Sequence, residues 1–235
     1  MKILIFLLLS ASVAMASVGN ITSFKGSVSV SRDSAEIRAK IHLPIEKSDV
    51  ISTKNNSNAI IKFNDNTIVT IGKKSSLIVE DYVYDSINTK NSKTQFNFIK
   101  GTFKCVTGII GDINSKNFKL KTNSALLGIR GTVTLGDQKL IACTKGSINV
   151  ESKGKSVVVN AGEYVETIIG KKPSDPKVLT KGILSMINNN LLISGISSGN
   201  SNKKDSRLKV LTNIVEKSVE AQKEEESDGD SGHGH

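Results

Sequence analysis

One short pattern recurs four times in this chain and constrains its fold more than any other feature. Lys25-Gly26-Ser27-Val28-Ser29-Val30 returns as Lys100-Gly101-Thr102-Phe103-Lys104-Cys105. It returns again as Arg130-Gly131-Thr132-Val133-Thr134-Leu135 and as Lys145-Gly146-Ser147-Ile148-Asn149-Val150. Each copy is a base, a glycine, a hydroxyl residue, and then apolar residues at alternate positions. Physically this is a turn glycine able to take positive φ, feeding a strand whose alternate residues face inward. The copies start 75, 30 and 15 residues apart, all multiples of fifteen, as a coil of similar rungs or hairpins would produce.

From Val18 to about Ile169 the same grammar continues. Short runs of Val, Ile, Thr and Phe alternate with Gly, Asn, Asp, Ser and Lys, without helical periodicity. Ala59, Ile61 and Phe63 alternate with Ile60 and Lys62, and Asn64-Asp65-Asn66 then turns the chain. After Ile169 the pattern changes. Asp175 and Pro176 read as the cap and first turn of a helix presenting Val178, Leu179, Ile183, Met186 and Ile187 on one face. Ser206 reads as the cap of a second helix, with Leu208, Leu211, Val215 and Val219 on one stripe. Such helices would cover an otherwise open β surface or, alternatively, dock to a partner protein.

The first residues carry an address. Lys2 is followed by the apolar run Ile3 to Leu9, extended by small residues to Val13, and Ala14-Met15-Ala16 puts small residues at both recognition positions. Cleavage is therefore expected before Ser17. The apolar stretch is shorter than the ~20 residues that span a bilayer. The expected organisation is a signal peptide at 1–16, a β domain at 17–170, a linker with helices at 171–223, and a disordered acidic, His-containing tail at 224–235. The mature chain would be periplasmic or secreted, with no transmembrane segment. In such an oxidising compartment paired thiols close, so Cys105 and Cys143, both in strand-like sequence, are candidates for a disulfide.

Composition argues against most chemistry. Aromatic residues make up 4% of the chain with no Trp, which disfavours stacking surfaces for bases or sugars. Only three His are present, two of them in the closing Gly232-His233-Gly234-His235, which lacks the scaffold of a metal site. His42, beside Leu43-Pro44, reads as packing or surface. There is no nucleophile elbow, phosphate-cradling loop or HExxH motif, and Glu80-Asp81 occupy consecutive strand positions whose alternation sends them to opposite faces. No enzyme, cofactor or metal is expected. The net charge of +10 divides into an acidic tail and a body of about +14, because six acids and one base follow position 219 and Lys2 falls in the leader. Arginine is scarce in that body (Arg32, Arg38, Arg130 and Arg207), which speaks against a nucleic-acid partner and for a Lys-rich solvated surface.

The segment Thr122-Asn123-Ser124-Ala125-Leu126-Leu127-Gly128-Ile129-Arg130-Gly131-Thr132 resembles the signature of the FecR domain, a Thr-Pro-x-Ala, an apolar pair and an Arg-Gly-Thr turn. Asp49 to Thr53, Ser57 to Phe63 and Asp65 are similar to the family's stretch ahead of that signature, and Lys145 to Val150 and Asn160 to Glu163 to its closing strands. The likeness covers roughly residues 20–168. Asn123 stands where Pro is usual, and Ser48 and Asn66 where Gly is usual. The resemblance implies an all-β module, a twisted, solenoid-like or sandwich stack of short strands, in which Thr122, Ala125, Gly128, Arg130, Gly131 and Thr132 are structural. Arg130 is expected to tie turn carbonyls or an acid together inside the fold. The family's best-known members relay receptor occupancy to a cytoplasmic sigma factor through a membrane helix, which this chain, beginning with a cleavable leader, would not do. The expected function is therefore non-catalytic binding of an envelope protein or anionic envelope polymer, in sensing, regulation or assembly. The alternative is a structural or adhesin-like component that contacts anionic glycans through its Lys-rich face.

Overall fold

The computed structural model describes residues 16–191. Most of the leader with Ala14, the second helix expected from Ser206, and the acidic tail lie outside the described residues. Strands β1 (Gly19–Lys25), β2 (Val28–Arg32), β3 (Ala35–Arg38), β4 (Pro44–Ile45) and β5 (Val50–Thr53) open the domain. They are followed by β6 (Asn58–Phe63), β7 (Ile68–Ile71), β8 (Ser76–Val83), β9 (Lys93–Lys100) and β10 (Phe103–Val106). A one-turn helix, α1 (Ile109–Ile113), precedes β11 (Phe118–Thr122), β12 (Leu126–Gly136) and β13 (Leu140–Ser152). The chain ends in β14 (Lys155–Asn160), β15 (Glu163–Glu166), β16 (Lys177–Val178) and helix α2 (Lys181–Leu191).

All sixteen strands join one hydrogen-bonded sheet, which runs β3-β2-β5-β8-β9-β11-β12-β10-β7-β6-β1-β4 with β13 to β16 added beyond β12. The path has two halves. One holds β3, β2, β5, β8, β9 and β11, and continues through the start of β12 and the end of β13 to β14. The other holds β4, β1, β6, β7 and β10, and continues through the end of β12 and the start of β13 to β15 and β16. The sheet curls until the inner faces of these halves meet. Phe63 of β6 packs against Phe96 of β9 at 4.5 Å and against Tyr82 of β8 at 5.4 Å. Phe98 of β9 stacks on Phe103 of β10 at 4.0 Å.

Each of the four repeat copies forms a corner at which the chain crosses between the halves. Gly26 lies between β1 and β2, Gly101 between β9 and β10, and Gly131 and Gly146 in the middles of β12 and β13. All four have positive φ, at 74°, 81°, 54° and 71° respectively. Neighbouring hydroxyls hold the corners in place. Ser57 Oγ accepts the Ser27 N–H at 2.9 Å; Ser75 Oγ accepts the Thr102 N–H at 3.0 Å and donates to the Thr102 carbonyl at 3.1 Å. Thr107 Oγ1 accepts the Thr132 N–H at 2.8 Å. The repeat copies are therefore corners of a folded sheet built of hairpins and not parallel rungs of a coil, for among the described pairs every ladder is antiparallel except β9 with β11.

Two buried carboxylates fix the loops. Asp65 receives the Tyr82 hydroxyl at 2.9 Å, the Thr67 hydroxyl at 2.8 Å, and the N–H groups of Thr67 and Ile110. It thus joins the β6–β7 turn to β8 and to the start of α1. Burial, then the charge of Asp65, pushes the Tyr82 phenol far up, so its proton stays in that bond. Asp49 is gripped by Arg32 through Nε at 2.8 Å and Nη2 at 2.7 Å, and also accepts the Glu46 N–H.

Three expectations are corrected here. Cys105 and Cys143 are both free. Each stands opposite Thr134 of β12, on either side of it. Two strand spacings of ~4.8 Å put their Cα atoms about 9.6 Å apart, beyond the ~7 Å limit of a disulfide. The C-terminal helix begins at Lys181 and not near Asp175, because Lys177–Val178 instead adds β16 to β15. Consequently Val178 and Met186 are exposed, while Ile187 and Leu191 bury against Leu135 and Ala142 on the outer face of the second half. A β surface is covered as expected, by a helix in different register.

Reductant should leave the intact mass unchanged, and both thiols, held up chiefly by burial, should alkylate only on unfolding. A Cβ on Gly101 would overlap Ser75, whereas one on Gly162, also at positive φ, would meet open space. Gly162→Ala should cost about 1 kcal/mol and Gly101→Ala about 3 kcal/mol or more, measured by denaturant unfolding. Equal losses would show that the corner is not tightly packed.

Candidate functional site

The signature segment runs from the end of β11 through the first half of β12, and the structure divides its residues between two tasks. Thr122 Oγ1 accepts the N–H groups of Ser124 and Ala125 at 3.2 and 3.0 Å, closing the turn ahead of β12. Asn123, standing where proline is usual, contributes bonds proline could not make. Its N–H donates to Gln138 Oε1 at 2.8 Å and its Nδ2 to the Ile99 carbonyl at 2.7 Å. Ala125 is buried, Gly131 makes the corner, and Thr132 is buried beside it. Ser48 and Asn66 both adopt positive φ, at 70° and 67°, keeping the left-handed turns for which glycine is usual.

Gly128 and Arg130 do something else. Both lie on the outer face of the first half. In register across that face stand Lys119 of β11, Gly128 of β12, Asn149 of β13 and Val158 of β14. With no side chain at Gly128, a Cβ there would meet only Asn149, at 3.8 Å. The result is a shallow groove of about 430 Å³ lined by Lys116, Lys119, Gly128, Arg130, Asn149 and Val158 among others.

The Arg130 side chain is exposed and makes no hydrogen bond or ion pair among the described residues, in contrast to the expectation that its donors tie turn carbonyls or an acid together. Arg32 has that role. Its guanidinium is held charged first by the hydrogen bonds it donates to Asp49, against the opposing effect of burial, and it also reaches Glu46 and the Pro44 carbonyl. Sequence reasoning missed Arg32 because its acids lie 14 and 17 residues away, with no local spacing to mark them. Lys116 and Lys119 likewise have no ion pair among the described residues, so three cations ring the groove against the single acid Glu151.

The adjoining acids are already occupied. A β-bulge between Val79 and Asp81 puts both Glu80 and Asp81 on this outer face, correcting the alternation expected from sequence. Glu80 accepts from Asn97 at 2.7 Å, from Lys121 at 2.8 Å and from Gln95. Asp81 pairs with Lys47 at 2.8 Å and Lys93 at 2.6 Å, and these bonds, Lys47 first, hold its carboxyl below the usual range. The pair is therefore two separate ion clusters and not a proton-transferring dyad. His42 is an exposed turn residue, and no group of three or more His, Cys, Asp or Glu among the described residues is arranged to hold a metal. No helix among the described residues is long and apolar enough to cross a membrane.

Comparison with known proteins agrees with the signature. The model of the family described as FecR protein matches residues 49–163. Two crystal structures of a "putative anti-sigma factor" from Parabacteroides distasonis ATCC 8503 are similar to this chain, each at 11% identity. One covers 72% of this chain and 90% of its own length with a TM-score of 0.46; the other covers 58% and 62% with a TM-score of 0.44. The chain thus spans about three fifths of the length of the second. No curated protein matches the sequence.

Arg32→Ala should strip Asp49 of its buried partner and destabilise the domain by about 3 kcal/mol or more. Arg130→Ala should leave stability within about 0.5 kcal/mol, as at an unpartnered surface site. Chemical denaturation of the two variants checks both, and the reverse order would return Arg130 to a structural role.

Proposed function

Because the chain carries a FecR domain over residues 49–163, we propose that it is a non-catalytic regulatory or sensing protein of the bacterial cell envelope. It is exported after cleavage before Ser17 and acts by binding another envelope protein on the outer face of the first half-sheet. One observation carries this reading: the signature segment places a missing side chain, Gly128, and an unpartnered guanidinium, Arg130, side by side on an exposed face. A residue needed only for folding has buried partners, as Arg32 does; Arg130 has none among the described residues. Lys116 and Lys119 add charge of the same sign, and the exposed Val158 gives the groove an apolar wall. Such a mixture of apolar floor and cationic rim suits a protein surface bearing carboxylates.

The test is capture from envelope extracts with the wild-type chain and with Lys119→Glu/Arg130→Glu. The double variant should lose its specific protein partner about tenfold or more while keeping its melting temperature. Undiminished capture by the variant would sink the proposal. Retention of an anionic polymer alone, released steeply as salt rises, would instead place the chain among glycan-contacting structural components.

A further inference from the structure

A folded sheet of this kind has four edges among the described strands, at β3, β4, β14 and β16. An open edge presents unpaired backbone groups and is normally blunted by shortness, charge or proline. Three of these edges are blunted in those ways. β4 has two residues and begins with Pro44, β16 has two residues directly after Pro176, and β3 has four, including Glu36 and Arg38. The fourth is not. β14 has six residues and contains the run Val157-Val158-Val159.

The hairpin geometry shows which backbone groups that edge leaves open. Lys153 and Gly154 form the two-residue β13–β14 turn, with φ of 49° and 72°. Positive φ at both positions is the type I′ turn, so the flanking pair, Ser152 and Lys155, exchanges both backbone bonds. In an antiparallel ladder bonded and non-bonded pairs alternate. Val157 opposite Val150 and Val159 opposite Ile148 are therefore the bonded residues. Ser156, Val158 and Asn160 point their N–H and C=O groups away from β13. Asn160 confirms the phase, since its N–H donates sideways to Glu163 Oε2 at 2.8 Å. No other described backbone reaches Ser156 or Val158. The side chain of Val158 is 55% exposed on the same strand.

The surroundings select the occupant. At the hairpin end Lys153, Lys171 and Lys172 are exposed and form no ion pair among the described residues, and Ser152 Oγ holds the Lys171 carbonyl there at 2.9 Å. The groove walled by Val158 adds Lys119 and Arg130. Of the nearby acids, Asp175 is engaged with Lys155 at 2.7 Å and Glu163 with the Asn160 N–H, which leaves Glu151, opposite Ser156, as the one acid set against these cations. A second copy pairing about a two-fold axis would set these cations against their own equivalents, which opposes self-association.

We infer that the free edge of β14 is a strand-addition site for an extended, acidic segment of a partner protein, with backbone bonds to Ser156 and Val158 and carboxylates facing the surrounding lysines. This rests on the reading that the outer face binds a protein, and it names the part of the partner that docks. Val158→Pro removes an N–H that no strand among the described residues uses and replaces an exposed side chain, so the domain should fold with its melting temperature kept.

The probe is a short synthetic peptide alternating Glu with Val, its binding to the full chain followed by fluorescence anisotropy. N-methylation of alternate peptide amides, or Val158→Pro in the protein, should weaken binding about tenfold or more. Equal binding of the methylated and plain peptides overturns the inference, leaving charge attraction alone, and does so even where the proline variant fails to fold. A dimer in sedimentation that Val158→Pro converts to a monomer also overturns it, assigning the edge to a second copy. Loss of envelope-protein capture in Lys119→Glu/Arg130→Glu but not in Val158→Pro would leave the outer-face proposal standing and the edge site refuted.

Discussion

A strand passes from one face of a core to the other most sharply where its backbone adopts a conformation that residues with a Cβ disfavour. In this chain that constraint falls on the corner glycines, and Gly101 shows its consequences most directly. With φ of 81° it turns the chain out of β9 and into β10, and Phe98 and Phe103, five positions apart, meet across the core at 4.0 Å. The missing Cβ leaves the niche that Ser75 fills, and Ser75 Oγ satisfies the Thr102 N–H and carbonyl that the turn would otherwise strand. Glycine and hydroxyl are thus one device: the first opens space, the second supplies the hydrogen bonds that a buried backbone requires. At the last two copies the device is doubled, since a Cβ on Gly146 would collide with the Gly131 carbonyl of the facing strand. The long hairpin of β12 and β13 bends as a unit, and both halves of the sheet remain continuous through it.

The buried carboxylates operate on that frame. A corner frees the chain to cross but does not say how the turns at the far ends of the strands sit, and Asp65 and Asp49 settle those ends. Asp65 collects hydroxyl and amide donors from three separate elements, so one charge orders the β6–β7 turn, β8 and α1 together. Asp49 does the same for the β4–β5 loop through Arg32. Burying a charge is unfavourable unless it is fully hydrogen-bonded. That requirement makes these acids specific: few other packings of the loops would satisfy every one of their oxygens.

Much of this was legible in the sequence because it is local. The corner glycines, the inward alternation of β6 and the Asn64-Asp65-Asn66 turn are each written within a few residues. What escaped depends on partners distant in the chain or on a break in alternation. A bulge at Glu80 reverses the facing of Asp81, and no pattern of residue types announces it. Cys105 and Cys143 share a register position but have Thr134 between them, a fact of strand order that spacing cannot express. Arg130 looked structural because it sits inside a fold-defining motif, yet alternation on β12 turns it to solvent while Ile129 goes to the core. Helix α2 started later than its capping signals suggested because a two-residue edge pairing with β15 competed successfully for Lys177 and Val178.

The two outer faces end up unequal, and that inequality bears on function. On one half α2 lays Ile187 and Leu191 over Leu135 and Ala142. Its last turn reaches the corner seam, where the Asn190 carbonyl accepts the Lys73 N–H at 3.0 Å and its close approach leaves no room for a Cβ at Gly72. Even a lysine on that half, Lys104, is desolvated enough for burial to push its ammonium down. The other half has no such cover among the described residues. Its outer face keeps Lys119 and Arg130 in solvent, with the acids of β8 committed to other lysines. One face covered, the other uncovered among the described residues, charged and bordered by the long edge of β14: this contrast supports the proposed binding surface.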